Sequence, residues 1–157
     1  MVNEEEIIVE EAKQWLEGRG QEDSTSHDIE FLPLCGIKVL EAKMGWLLCN
    51  LKVHPHLADR NGNCHAGAIA TIIDVVGAAV ISTYGGNIKV SVDFNISYFS
   101  TVKIQEELEI EGKVVANREK VSLNVVEVRR KEDGMLLALG KQWMAQINAG
   151  QTVRTRL

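Results

Sequence analysis

From His54 to Asp74 the chain reads HPHLADRNGNCHAGAIATIID, a loop rich in turn-forming residues that gives way to an apolar run beginning at His65. The first backbone N–H groups of a helix have no acceptor within it, and the helix dipole there favours negative charge. A helix starting at His65, Ala66 and Gly67 therefore offers a place to hold the oxyanion formed when a carbonyl is attacked. The small Ala66 and Gly67 would let a substrate come close. The same pattern also describes an ordinary helix cap whose small residues serve packing.

The second signal is Asp74, the single formally charged side chain in residues 65–83. A carboxylate inside an apolar helix is costly to bury without partners. In a water-filled pocket it would act as a general base or hold the attacking water; otherwise it is a buried Asp satisfied by nearby hydroxyl or backbone donors. Ala66 and Asp74 are roughly 12 Å apart along a helix axis, at 1.5 Å per residue. They cannot readily serve one carbonyl from one helix. If both act in one reaction, the helix start of one subunit meets the Asp of another across a two-fold contact, giving a dimer with two shared sites.

Other chemistry fits these residues less well. Asp59, Asn61 and Asn63 imitate the start of a calcium loop, but Cys64 replaces its turn Gly and Ala70 stands where its closing Glu belongs. His54, His56, Cys64 and His65 could ligate zinc, yet Pro55 and the lack of a second close pair argue against it, and no metal is expected. Cys64 at a helix start could be an activated nucleophile, although adjacency to His65 in sequence does not aim the imidazole at its sulfur.

The elements that must position these residues are legible from periodicity. Ile8, Ala12, Trp15 and Leu16 recur at helical spacing between residues 3 and 16, with Glu4 to Glu6 at the start and Gly18 and Gly20 after the end. Residues 21–28 are polar and read as a linker. Residues 36–42 and 46–53 suggest a hairpin around Lys43, Met44 and Gly45. Residues 65–83, apolar all round, predict a long buried helix that stops near Tyr84, Gly85, Gly86 and Asn87. Beyond it, residues 89–100 alternate, with Val90, Val92, Phe94, Ile96 and Tyr98 on one face and Ser91, Asp93, Asn95 and Ser97 on the other. Further strands follow around Leu108 to Ala116, in 121–128 and in 135–147, with an Asp133-Gly134 turn. Consecutive strands predict an antiparallel meander curling around the helix, its outer face covered by the N-terminal helix or a partner subunit.

Composition bounds the partners. With 157 residues and 45% hydrophobic composition one domain core is the default. A net charge of -5 with scattered Lys and Arg excludes a general nucleic-acid binder. No apolar run is long enough to span a bilayer, the start is acidic, and three irregular cysteines, Cys35, Cys49 and Cys64, suit a reducing compartment. An intracellular protein is expected. The final Thr155, Arg156 and Leu157 loosely imitate a peroxisomal address, so cytoplasm and peroxisome both stay open.

The run from Asp59 to Asp74, DRNGNCHAGAIATIID, followed by VSVDFNISY from Val90 to Tyr98, resembles the hotdog-fold acyl-CoA thioesterases of the PaaI and thioesterase-superfamily-member-2 type. The likeness covers about residues 35–147. It implies an α+β hotdog fold, a curved antiparallel sheet wrapped around a long central helix, preceded here by the N-terminal helix of a 1–30 segment. It further implies homodimers with a joined sheet, dimers of dimers, acyl-CoA as substrate and no cofactor. Carried over by position, His65 matches the motif His, Ala66 and Gly67 the two glycines at the oxyanion site, Asp74 the water-orienting carboxylate and Ser91 the Ser that assists it. Asp59 stands where the family has an Asn that helps bind the carbonyl, and an ionised carboxylate cannot donate a hydrogen bond. Two other functions fit the same groove: a hotdog dehydratase or hydratase using His65 and Asp74 as an acid-base pair, and a non-catalytic acyl-CoA sensor, which Asp59 favours.

Overall fold

The computed structural model describes residues 3–21, 29–85 and 89–146. The expected linker beyond Gln21, the stop residues Gly86 and Asn87, and the terminal Thr155, Arg156 and Leu157 lie outside the described residues. In chain order the elements are α1 (Glu4–Arg19), α2 (Phe31–Leu34), β1 (Lys38–Lys43), β2 (Trp46–Lys52), a 3-10 turn (Pro55–Leu57), α3 (Ala66–Ser82), β3 (Lys89–Tyr98), β4 (Glu107–Asn117), β5 (Val121–Arg130) and β6 (Leu136–Gln146).

The strands form one antiparallel sheet in the order β1-β2-β4-β5-β6-β3. Helix α3 packs against β3, β4, β5 and β6, and its Ile72, Ile73, Val76 and Val80 are fully buried there. An apolar face on every side suits a helix enclosed by a sheet on one side and by further elements on the other. Gly140 of β6 lies under Ile73, so close that a Cβ at this position would collide with that side chain.

Helix α1 starts with a capping box in which Asn3 and Glu6 exchange side-chain hydrogen bonds with each other's N–H (3.0 and 2.8 Å). It runs one turn beyond the expected end at Leu16, to Arg19. Ala12 and Leu16 are buried where α1 meets α3 and β1. The helix thus extends the helical layer and does not cover the outer face of the sheet, one of the two covers expected. No described helix is long and apolar enough to cross a membrane.

Two expectations about the strands need correction. Strands β4, β5 and β6 form the expected meander, but β3 pairs with β6 at the far edge while β4 pairs with β2. The reason is α3: lying across the inner face between β2 and β3 in the chain, it carries the polypeptide from one side of the sheet to the other. The second correction concerns the faces of β3. Its register with β6 slips between Ser91, opposite Met144, and Asp93, opposite Trp143. This bulge at Val92 puts Ser91 on the same face as Phe94, Ile96 and Tyr98, because each lies opposite a β6 residue of one parity. Simple alternation had separated them.

Candidate functional site

The loop before α3 is closed upon itself by Asp59. Its Oδ1 accepts from the N–H groups of Asn61 (2.7 Å) and Asn63 (3.0 Å), its own N–H donates to the Asn63 carbonyl at 2.6 Å, and Gly62 supplies the positive φ of 78° that the turn requires. The His65 N–H then donates to the Leu57 carbonyl at 2.7 Å, fixing where the helix begins.

At the N-cap, His65 Nδ1 accepts from the Gly67 N–H at 2.9 Å. That bond requires Nδ1 to be unprotonated, leaving Nε2 as the ring's donor in the neutral side chain. From β3 the Tyr98 hydroxyl donates to the Ala66 carbonyl at 3.0 Å and braces the first turn. The Ala66 N–H donates to no acceptor among the described residues. With His65, Ala66 and Gly67 all exposed, this leaves one helix-start donor free for an anionic atom.

Asp74 is half-buried and does not stand alone. Its Oδ1 accepts from the Ser91 hydroxyl at 2.9 Å and from Gln142 Nε2, which lies closer still. The same Nε2 donates to Ser91 Oγ at 2.8 Å. Gln142 is in turn oriented by Asn124, whose Nδ2 donates to Gln142 Oε1 at 2.8 Å and to the Gly77 carbonyl at 3.2 Å. Both amides are fully buried, and Asn124 Oδ1 has no partner among the described residues. A Cβ on residue 77 would run into both amides, so Gly77 is what admits them beneath the helix.

A buried chain of amides with an orphaned acceptor is an expensive way to fill a core, where apolar side chains would pack at lower cost. Its effect is to point the Gln142 N–H at Asp74, which holds the carboxylate in one rotamer and leaves Oδ2 clear of these bonds. A hydrogen bond to a charged group is worth about 1.5 to 3 kcal/mol, so Gln142→Leu should lower kcat by about tenfold or more while KM hardly moves. Gln142→Glu should also shift the acid limb of the rate profile to higher pH, since two facing carboxylates raise the pKa of the pair. A change in KM alone, with kcat and the pH profile intact, would assign Gln142 a purely structural part.

The residues selected from sequence thus gather into two groups. Asp59, His65, Ala66 and Gly67 shape the start of α3, whereas Asp74 and Ser91, joined by the unanticipated Gln142 and Asn124, lie two turns further along it. The separation of roughly 12 Å along the axis stands. Cys64 has no nucleophilic character: burial, and then the nearby Asp59 carboxylate, push its thiol up to about 11, so it stays protonated near neutrality. Among the described residues no three His, Cys, Asp or Glu side chains converge as metal ligands; His54 and His56 instead meet edge to face.

Comparison with known proteins shows what the whole chain is similar to. The thioesterase superfamily pattern matches residues 61–137. Human acyl-coenzyme A thioesterase 13 is 31% identical over 106 residues, spanning 67% of this chain and 76% of that protein. A putative esterase of Caenorhabditis elegans is 30% identical over 143 residues, 90% of this chain and 80% of its own length. The crystal structure of zebrafish thioesterase superfamily member 2 superposes with a TM-score of 0.77 at 26% identity, covering 88% of this chain and 98% of that one.

Proposed function

The chain belongs to the thioesterase superfamily, and from that premise we propose that it hydrolyses acyl-CoA to the free acid and CoA at a site shared between two subunits. The observation that carries this reading is the Asp74 carboxylate, held by Ser91 and Gln142 with Oδ2 left to accept from a water. A solved hypothetical thioesterase protein of Streptococcus pneumoniae that shares this fold contains coenzyme A.

In the reaction, Asp74 takes a proton from the water as its oxygen bonds to the thioester carbon. The carbonyl oxygen gains the negative charge and is met by the free Ala66 N–H at the helix start of the other subunit. Collapse of the tetrahedral intermediate breaks the C–S bond, and the proton held on Asp74 leaves with the CoA sulfur. The shared arrangement follows from the axial offset between Ala66 and Asp74. It is supported by β3, a sheet-edge strand carrying exposed Val90, Val92, Phe94 and Tyr98 and followed by exposed Phe99. Unpaired edges of this kind invite a second strand, so two copies joined along β3 would form one continuous sheet.

Asp59 favours one rival, an acyl-CoA binder without chemistry, because a carboxylate beside a forming oxyanion repels it. The structure gives this residue a turn-closing part that Asn would fill equally well through its Oδ1. The test is a panel of acyl-CoA substrates with release of CoA thiol and ligand binding measured side by side. Hydrolysis is expected across at least part of the panel, and Asp59→Asn, which keeps the turn and supplies an N–H donor, should raise kcat severalfold. Binding without thiol release would favour the sensor, and conversion of β-hydroxyacyl or enoyl substrates without thiol release the dehydratase. An identical kcat and pH profile in Asp59→Asn would place residue 59 outside the reacting centre.

A further inference from the structure

A groove of about 360 Å³ runs between α1 and the sheet edge β1. Strand β1 has a strand neighbour on one side only, and its register slips at Leu40, which lies in the groove with 52% of its surface exposed. Val9 of α1 and Val39 complete this apolar floor. Glu17 of α1 closes one end, its Oε1 accepting from the Val39 N–H at 2.8 Å, while Lys43 and the turn between β1 and β2 mark the other.

The rim of the groove is acidic, with the carboxylates Glu5, Glu6, Glu10 and Glu41 set against the ammoniums Lys13 and Lys43. Both cations are drawn aside. Lys13 Nζ is 3.8 Å from the Glu10 carboxylate, and Lys43 Nζ lies 5.1 Å from the centre of the Trp46 ring. Glu6 serves the capping box of α1, whereas Glu5 and Glu41 are exposed and pair with no cation among the described residues. An occupant with an apolar stripe and about two positive charges fits this combination.

The residues that follow β6, INAGQTVRTRL at 147–157, carry that pattern. Arg154 and Arg156 alternate with Val153, Thr155 and Leu157, and no Asp or Glu stands among them. In an extended conformation the guanidiniums fall on one side and the apolar side chains on the other. They also start nearby. Gln146, the last residue of β6, lines one hollow with Tyr84 and Gly85; the Tyr84 hydroxyl lies against Gly45 of the turn between β1 and β2, and Gly85 lies against Ile8 of α1. The Lys43 end of the groove therefore opens beside the point where β6 stops. Five extended residues reach about 16 Å and the next six about 20 Å, against about 13 Å from Val39 to Lys43.

We propose that residues 152–157 dock in this groove of their own chain, running antiparallel to β1 from Lys43 toward Val39. Arg154 and Arg156 meet Glu5 and Glu41, and Val153 and Leu157 lie over Val9 and Leu40. The segment thereby covers the free edge of the sheet at β1 and leaves β3, at the opposite end, as the edge open to a second copy.

The test uses the full-length chain with the photoreactive residue benzoylphenylalanine in place of Thr155. Irradiation should give an adduct within one chain, and mass spectrometry of its fragments should place it on residues 5–13 or 39–43. Glu5→Lys combined with Glu41→Lys should lower the yield about fivefold or more, because like charges then face each other, and adding Arg154→Glu with Arg156→Glu should restore it to within about twofold. That restoration also shows that the chain with the reversed groove still folds. An adduct elsewhere on the chain, no adduct, a yield indifferent to groove reversal, or a loss that the second reversal leaves unrepaired would each overturn the proposal. An adduct between two chains, seen as a dimer-sized band under denaturing conditions, would give the groove to a second copy and overturn docking within the chain.

Discussion

Asp74→Asn should lower kcat for acyl-CoA hydrolysis by a factor of about 10² or more, with KM and folding close to wild type. The substitution is nearly isosteric. Its Oδ1 still accepts from Ser91 and Gln142, so the amide chain to Asn124 is undisturbed. What changes is the other atom, where an amide donor replaces the oxygen that takes the proton from water. Asp74→Ala is the less informative variant, because it leaves the buried Gln142 N–H short of an acceptor and adds a folding penalty of about 1 to 3 kcal/mol to any chemical loss. If purified Asp74→Asn turns over acyl-CoA at near wild-type rate, Asp74 is not the base and the Ser91–Gln142 cluster has another purpose.

Helices α1 and α3 and most strands were legible because burial imposes a period, whereas the single turn α2 carries too few residues to show one. An apolar run with one charge gave α3 to within a residue at each end, and Asn3 ahead of Glu4 to Glu6 marked the start of α1. Strand order was not legible. Nothing in local alternation records that a buried helix between β2 and β3 carries β3 to the far edge, since pairing depends on contacts distant in sequence. The bulge at Val92 was hidden for a related reason: one extra residue reverses the faces before and after it while the pattern of residue types runs on unchanged.

The candidate site was legible in part. Asp74 stood out as a charge in an apolar run, and Ser91 entered through family resemblance, whereas alternation set it on the wrong face. Gln142 and Asn124 were missed. Their signal was parity: Asn124 shares its side of β5 with Val126 and Val128, both fully buried, so a polar residue was being carried into the core. A search for polar side chains at inward positions of otherwise apolar strands would have found it. Asp59 shows the opposite case, because its motif position suggested contact with substrate while its Asx turn around Asn61 and Asn63 appears only in three dimensions.

The claim on which everything else depends is that each reacting centre draws its base from one subunit and its helix-start N–H from another. Asp74→Asn removes the base. Ala66→Pro removes the N–H at the first position of α3, where Pro is well tolerated, and His65 already has the extended φ of -60° and ψ of 134° that a following Pro favours. Each variant alone should be inactive. A mixed dimer would hold one centre with both defects and one with neither, and random pairing makes half of the dimers mixed. Co-refolding the two variants in equal amounts should therefore restore acyl-CoA hydrolysis to about a quarter of wild type. A mixture that stays inactive, although native mass spectrometry finds the heterodimer at its statistical share, would contradict the shared site.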